Sequence, residues 1–250
     1  PSGMKHPLRT LLLAVCCGLA AACTQRQERL KLMSYNIRNG IGIDNIQDIG
    51  RIARVILREA PDLVALQELD SATLRVDGRY IPGELGRMTG MHATFGRAIG
   101  FAGGSYGIGL LSRTEPLAVR SIPLPGREEA RVLLMAEFPD YTVCITHLSL
   151  TPEDRLASLP IIREATDTCR KPVLLAGDFN TGNAAAVLAG LGGGFRILSD
   201  TTRMTFPSDN PAVRIDYILG RGLPTSATVA ESAVDHTATA SDHCPLWVTL

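Results

Sequence analysis

Aromatic residues make up only 5% of this 250-residue chain, with a single tryptophan, and basic and acidic side chains balance at 25 each. A protein that follows a nucleic-acid strand usually shows an excess of Lys and Arg and rings on which bases stack, so the composition does not favour that role. Residues 1–23 hold Lys5 and Arg9 and no acid; the remainder has 23 bases against 25 acids, a net charge of −2. Cysteines are few and scattered. Beyond Cys23, the residues Cys144, Cys169 and Cys244 suit neither a disulfide framework nor a metal-site spacing, and read as small buried hydrophobes. The chain has no internal repeat, low-complexity tract or second linker. With 45% apolar content, one globular domain with a sizeable core is expected.

No apolar run reaches the roughly 20 residues of a comfortable membrane-spanning helix. Pro1, Ser2 and Gly3 stand ahead of Met4 and are read as extraneous to the targeting segment. From Met4 a short basic region leads into an apolar stretch, Leu11 to Ala22, which ends Ala20-Ala21-Ala22-Cys23. That order is a secretory signal, and AAAC resembles a bacterial lipobox, in which Cys23 becomes the lipidated first residue of the mature chain. A cleaved, unlipidated signal is the alternative. Residues 1–23 are thus assigned to a lipoprotein-type signal, 24–29 to a polar linker and 30–250 to one domain. The protein is expected to be exported, to be held at a bacterial membrane through Cys23, and to be a monomer.

The stretch Val173-Leu174-Leu175-Ala176-Gly177-Asp178-Phe179-Asn180 carries the most information. Four apolar residues entered by Lys171-Pro172 and left by Thr181-Gly182 predict a buried strand with polar groups at its C-terminal end. Strand alternation puts Asp178 and Asn180 on one face and Phe179 on the other. An Asx turn at a strand end is the bland alternative. Other segments end in the same way. Leu30–Ile37 predicts a strand that delivers Asn36; Leu63–Leu66 predicts one followed by Gln67 and Glu68; Thr142–Leu148 delivers His147; Arg214–Leu219 carries Asp216; and Asp242 and His243 lead into the last strand. Between them lie a helix from about Ile46 to Leu57 capped by Asp44 or Asn45, one over Tyr80–Met91, one from Pro152 to Cys169 kinked or divided at Pro160, and one over Ala184–Leu191. Further strands are expected at Ala93–Phe95, Gly107–Ser112, Leu117–Ile122 and Val132–Phe138. A lone His147 is more often a satisfied structural group than a functional one.

Strands gathered into sheets would bring Asn36, Glu68, His147, Asp178, Asn180, Asp216, Asp242 and His243 to one rim. Four carboxylates in a cleft repel one another and resist desolvation unless a cation neutralises part of their charge. Oxygen-rich ligation without a cysteine cluster suits a hard ion, Mg²⁺ or Mn²⁺.

SYNIRNG, ALQELD, YGIGLLSR, ITHLSL, GDFNT, RIDYIL and SDHCPL, in that order, resemble the motifs of the endonuclease/exonuclease/phosphatase (DNase I-like) superfamily, over about Leu30 to Leu250. The resemblance implies a four-layer α/β sandwich, two mixed sheets packed face to face between helices. It implies Glu68 as principal metal ligand, with Asn36 and Asp242 helping to build the metal site. It implies Asp178 as the group that positions or deprotonates water, assisted by Asn180. It also implies His243, paired with Asp216, as a phosphate-binding histidine, and His147 as a phosphate-contacting or proton-donating group. Ile108 stands where many members have asparagine, so it is given no catalytic role. Arg38 stands where some DNA-repair members have an acid. His92 reads as packing or surface, His236 as a rim candidate near His243, and Arg131 and Arg214 as ordinary solvated arginines, with substrate contact as the alternative.

The leading expectation is a metal-dependent phosphoesterase that cuts a small or lipid-linked phosphodiester by in-line attack of water. An exported nuclease of the same chemistry is the alternative, and nucleic acid is not the favoured substrate. A non-catalytic surface protein is the third reading, weakened because every acid and histidine that the mechanism needs is present. The signal segment yields its own test: labelled lipid should be incorporated in the native host and lost on Cys23→Ser, and full-length protein in the cytosol would contradict the assignment.

Overall fold

The structure is a computed structural model that describes Gly3 and residues 29–224 and 227–250. The signal, Cys23 and nearly all of the linker lie outside the described residues. Twelve strands are described: β1 (Lys31–Asn36), β2 (Leu63–Ser71), β3 (His92–Phe101), β4 (Gly104–Ser112), β5 (Ala118–Leu124), β6 (Arg131–Glu137), β7 (Thr142–His147), β8 (Val173–Asp178), β9 (Arg196–Ile197), β10 (Asp216–Arg221), β11 (Glu231–Val234) and β12 (Leu246–Thr249). The helices are α1 (Ile49–Glu59), α2 (Ile81–Thr89), α3 (Pro152–Asp167) and α4 (Ala184–Leu191).

Two six-stranded mixed sheets result, in the orders β11-β12-β1-β2-β4-β3 and β5-β6-β7-β8-β10-β9. Alternation along each strand divides the apolar residues between two faces. Leu32, Ala65, Leu110, Leu134, Ile145, Leu174, Ala176 and Ile218 fill the layer between the sheets. Met33, Val64 and Leu66 point outward to meet Ile52, Ile56 and Leu85 of α1 and α2. Leu175, Phe179 and Tyr217 meet Leu159, Ile162 and Val187 of α3 and α4. The chain is therefore the expected four-layer α/β sandwich. Among the described residues no helix is long and apolar enough to cross a membrane.

Local chemistry sets most boundaries. Gly90 closes α2 in the left-handed conformation, and α4 spans the residues expected of it. Two expectations are corrected. The cap of α1 is Asp48, whose carboxylate accepts from the Gly50 N–H, because Asp44 is engaged by Arg51 in the preceding loop. Pro160 does not divide α3, which continues through it as one helix; the proline sits on the exposed side, where water can take the carbonyl that its ring leaves unbonded. At the base of the sandwich Leu30 and Leu250 exchange both backbone hydrogen bonds, 3.2 and 3.0 Å.

A tight inter-strand approach lies next to the site. A Cβ added at Gly177 would stand 2.0 Å from the Thr146 carbonyl oxygen on β7, whereas one at Gly78, in a left-handed turn, meets open space. Gly177→Ala must push β7 from β8, and should cost roughly 2 kcal/mol or more, as overpacking does. Gly78→Ala should cost only about 1–2 kcal/mol of backbone strain. Urea denaturation of the two variants checks the order.

Candidate active site

Sheet register brings the polar residues together. His147 on β7 lies beside Asp178 on β8, and Asp216 on β10 lies opposite Asp178, so the three form one row across the sheet. The residues two positions deeper in each strand, Ile145, Ala176 and Ile218, belong to the layer between the sheets. The row is thus the next step of the same face, where the apolar filling gives way to charge. Asn36 ends β1 on the facing sheet, next to Gln67 of β2. Its carboxamide nitrogen donates to Asp178 Oδ2 at 3.1 Å and to Glu68 Oε1 at 3.0 Å, tying the two sheets together.

Glu68 reaches this position through a break in the strand. Alternation from Val64 and Leu66 would turn its side chain toward the helices. Instead the β2–β4 register shifts between Leu66 and Leu69, and Glu68 takes a left-handed φ of 59°. Asn180 is not on the strand as alternation suggested. β8 ends at Asp178, and Asn180, at φ 50°, donates its backbone N–H to Asp178 Oδ1 and its amide to the Leu148 carbonyl, both at 2.8 Å. Asp242 stands at the rim with Oδ2 3.5 Å from Arg38 Nε. Left-handed non-glycine residues thus recur around the site, Arg38 and Asn39 included.

Asp178 Oδ2 lies 3.6 Å from His147 Nε2 and 3.7 Å from His243 Nε2. The other ring nitrogen of His243, Nδ1, is 3.0 Å from Asp216 Oδ2. Phe206 packs on the His243 ring at 4.8 Å between centroids. Burial works against charge on His243, but Asp216, with Asp178 and Asp242 nearby, holds its pKa up to about 10. Burial, followed by Arg131 and His243, drives His147 well below the ordinary imidazole value. Burial and then Asp216 raise the Asp178 carboxyl above the usual carboxylate range, and His243 opposes them. Their surroundings thus push the two histidines in opposite directions although their side chains are similarly covered.

Several participants were not expected. Arg131 and Arg214 are buried, 7% and 6% exposed, rather than solvated. Arg131 is caught between His147 and Glu129; Arg214 stacks over Tyr217 and donates to Ser199. Ser241 donates to the Asn36 carbonyl at 2.7 Å and accepts from the His243 N–H, joining the last loop to β1. Ser241 directly precedes Asp242 and Arg214 opens the RIDYIL motif, so the sequence held a signal for both; no motif contained Arg131. His92 is a surface residue; His236 is exposed, with Nε2 3.0 Å from the Met204 carbonyl. Cys144 and Cys244 are buried as expected, while Cys169 is only half-buried. A separate groove of about 480 Å³, lined by Arg120, Cys169 and Lys171, opens at the far end of β7, away from these groups.

The assembly can take a proton at Asp178 and offer hydrogen bonds from two imidazoles to an oxyanion. Asp178→Asn keeps the shape but removes the group able to take a proton, and should lower turnover by about 10²-fold or more with the fold intact. His243→Ala should lower it by about 100-fold or more. Asp216→Asn, which only supports His243, should cost less than either. Steady-state rates with circular dichroism as the folding control check the order.

Residues 33–243 match the family model described as Endonuclease/Exonuclease/phosphatase family. No curated sequence matches the chain significantly. Solved structures share the fold at low identity. An endonuclease/exonuclease/phosphatase from Beutenbergia cavernae superposes with a TM-score of 0.71 at 23% identity, covering 88% of this chain and 71% of that one. A mannosyl-6-phosphatase of Bacteroides thetaiotaomicron gives 0.70 at 19%, covering 88% and 99%. TDP2 of D. rerio, complexed with a single-strand DNA product, gives 0.66 at 22%, covering 89% and 98%. With the family model matched over most of its length and the fold shared, this chain belongs to the endonuclease/exonuclease/phosphatase family, whose members hydrolyse phosphoric esters.

Proposed function

We propose that the protein is an exported, divalent-metal-dependent phosphodiesterase that cleaves a small or lipid-linked phosphodiester by in-line attack of water. The observation that carries the reading is Asp178 Oδ2, placed within 3.7 Å of both imidazole Nε2 atoms and 3.1 Å from Asn36. A scissile phosphate set against this group has a proton acceptor on the water side and donors for its oxygens. Asp178 takes the proton of the attacking water, and Asn180 fixes that carboxylate through its backbone N–H. His243, kept charged by Asp216, binds a phosphate oxygen.

The donors present fit a hard cation. Glu68 is half-buried and has one oxygen bonded to Asn36, with no hydrogen bond to the other among the described residues; Asp242 stands at the same rim. Asp178, Asp216 and His243 also bring one donor atom each within 4.8 Å of one another. Because His243 Nδ1 is already committed to Asp216, we place the ion on the Glu68 side, with Asn36 and Asp242. Bound there, Mg²⁺ or Mn²⁺ would neutralise phosphate charge and steady the leaving oxygen. Anchoring through a lipidated Cys23 and a monomeric state complete the proposal.

Cleavage should need the cation and stop in chelator once metal removal is verified; full turnover without metal would end the reading. A panel with Mg²⁺ and with Mn²⁺ should span headgroup and small diesters, inositol phosphates, a mannose 6-phosphate monoester and DNA. Small or headgroup diesters should be cleaved fastest. Duplex DNA cut faster than any of them at physiological salt would hand the case to the nuclease reading, since the near-neutral chain lacks the charge excess that such binding uses.

A further inference from the structure

The two histidines that bracket Asp178 meet opposite partners at Nδ1. His243 Nδ1 faces a carboxylate oxygen of Asp216 at 3.0 Å and so carries a proton. His147 Nδ1 lies 3.1 Å from Arg131 Nη1. A guanidinium has only donors, so this Nδ1 must supply the lone pair, and the ring proton sits on Nε2. Nε2 is the atom 3.6 Å from Asp178 Oδ2.

Arg131 is built into place. It is 7% exposed; Nη1 lies 3.0 Å from Glu129 Oε1 and Nη2 3.5 Å from Glu128 Oε1. Glu128 accepts in turn from the Ser149 hydroxyl at 2.7 Å, the Leu150 N–H at 2.6 Å and the Thr151 hydroxyl at 3.1 Å. Those three residues form the segment that leaves β7 just after His147. The guanidinium is therefore bracketed by two acids, one of which, Glu128, also holds the chain that carries the imidazole.

We infer, on the phosphodiesterase reading of this site, that Arg131 is a positioning residue that locks His147 as the neutral Nε2–H tautomer, making His147 a hydrogen-bond donor to the phosphate and not its proton donor. Loss of the Nε2 proton from such a ring would leave an anionic imidazolate, since Nδ1 holds no proton. The guanidinium beside Nδ1 also excludes the doubly protonated ring that a general acid would start from. The sequence left His147 with either role, phosphate contact or proton donation; Arg131 selects the first. A neutral donor is replaceable by an amide, whereas a proton donor is not.

The test uses full-length, Mg²⁺-loaded protein with ¹⁵N-labelled histidine. Wild type should show His147 protonated at Nε2 and bare at Nδ1; a proton on Nδ1 would overturn the inference. Arg131→Met should lose the single tautomer and about 10- to 100-fold in kcat with KM little changed, as for partners that orient active-site imidazoles. Arg131→Lys, which keeps a donor, should restore part of both, and it replaces the Met variant if that one does not fold. An unchanged ring spectrum in a folded Arg131 variant would count against the role. His147→Gln should retain at least about ten times the rate of His147→Ala, the gap expected for a retained hydrogen bond; equal rates would mean that a proton donor was lost. Wild-type protein inactive on every ester would sink the phosphodiesterase reading, while the ring spectrum still decides whether Arg131 sets the tautomer.

Discussion

Asp178 is a carboxylate placed where the space between two sheets would otherwise be filled by hydrocarbon. Such a group is tolerable only if its oxygens are satisfied from several directions. Asn36 donates to it from the other sheet and the Asn180 N–H from its own chain two residues on, while the imidazoles of His147 and His243 flank it at 3.6 and 3.7 Å. Each partner has to be held in turn. Asp216 and Phe206 hold His243, Arg131 holds His147, and Ser241 ties the final loop to the carbonyl of Asn36. The loops around the mouth are thus arranged to keep one buried acid supplied with partners.

Sheet geometry alone supplies part of that arrangement. Register gives His147, Asp178 and Asp216 as neighbours at no cost in strain. Glu68 and Asn180 cannot be reached by alternation and use left-handed backbone instead. Each such residue costs roughly 1 kcal/mol or more, a sum that the apolar layers on both faces of each sheet must offset. The strain lies where side chains have to be aimed, and the rest of the fold stays regular.

This division explains what the sequence disclosed. Val173 to Asp178 is an apolar run that stops at an acid, and its burial and its terminal carboxylate follow from pattern alone. The same holds for the strands that deliver Asn36 and His147, and for α4, with its glycine stop. The bulge at Glu68 leaves no trace in hydrophobic periodicity, because it depends on how β2 pairs with β4. The burial of Arg131 was equally hidden: an arginine ahead of a strand reads as solvated until His147 on β7 meets its guanidinium and Glu128 and Glu129, three and two residues before it, fold back onto it. Phe206 lies in a polar stretch with Pro207 and Pro211, and only the folded chain shows its ring on His243. The short strands β9 and β11 carry too few residues to show a period.

The paired backbone bonds between Leu30 and Leu250 put both ends of the domain at one pole, and β1 runs from there to Asn36. Six residues of strand separate that pole from the site by about 20 Å. The base therefore serves as a handle: joining residues 30 and 250 and reopening the chain in an exposed loop away from the mouth would leave the row of His147, Asp178 and Asp216 undisturbed. An acyl anchor at Cys23 would grip the same handle, through a linker whose six residues extend no more than about 20 Å. The mouth would then face away from the bilayer that carries the protein. Its reach would be toward esters in the adjoining water, or on a surface across from it, before the headgroups underneath.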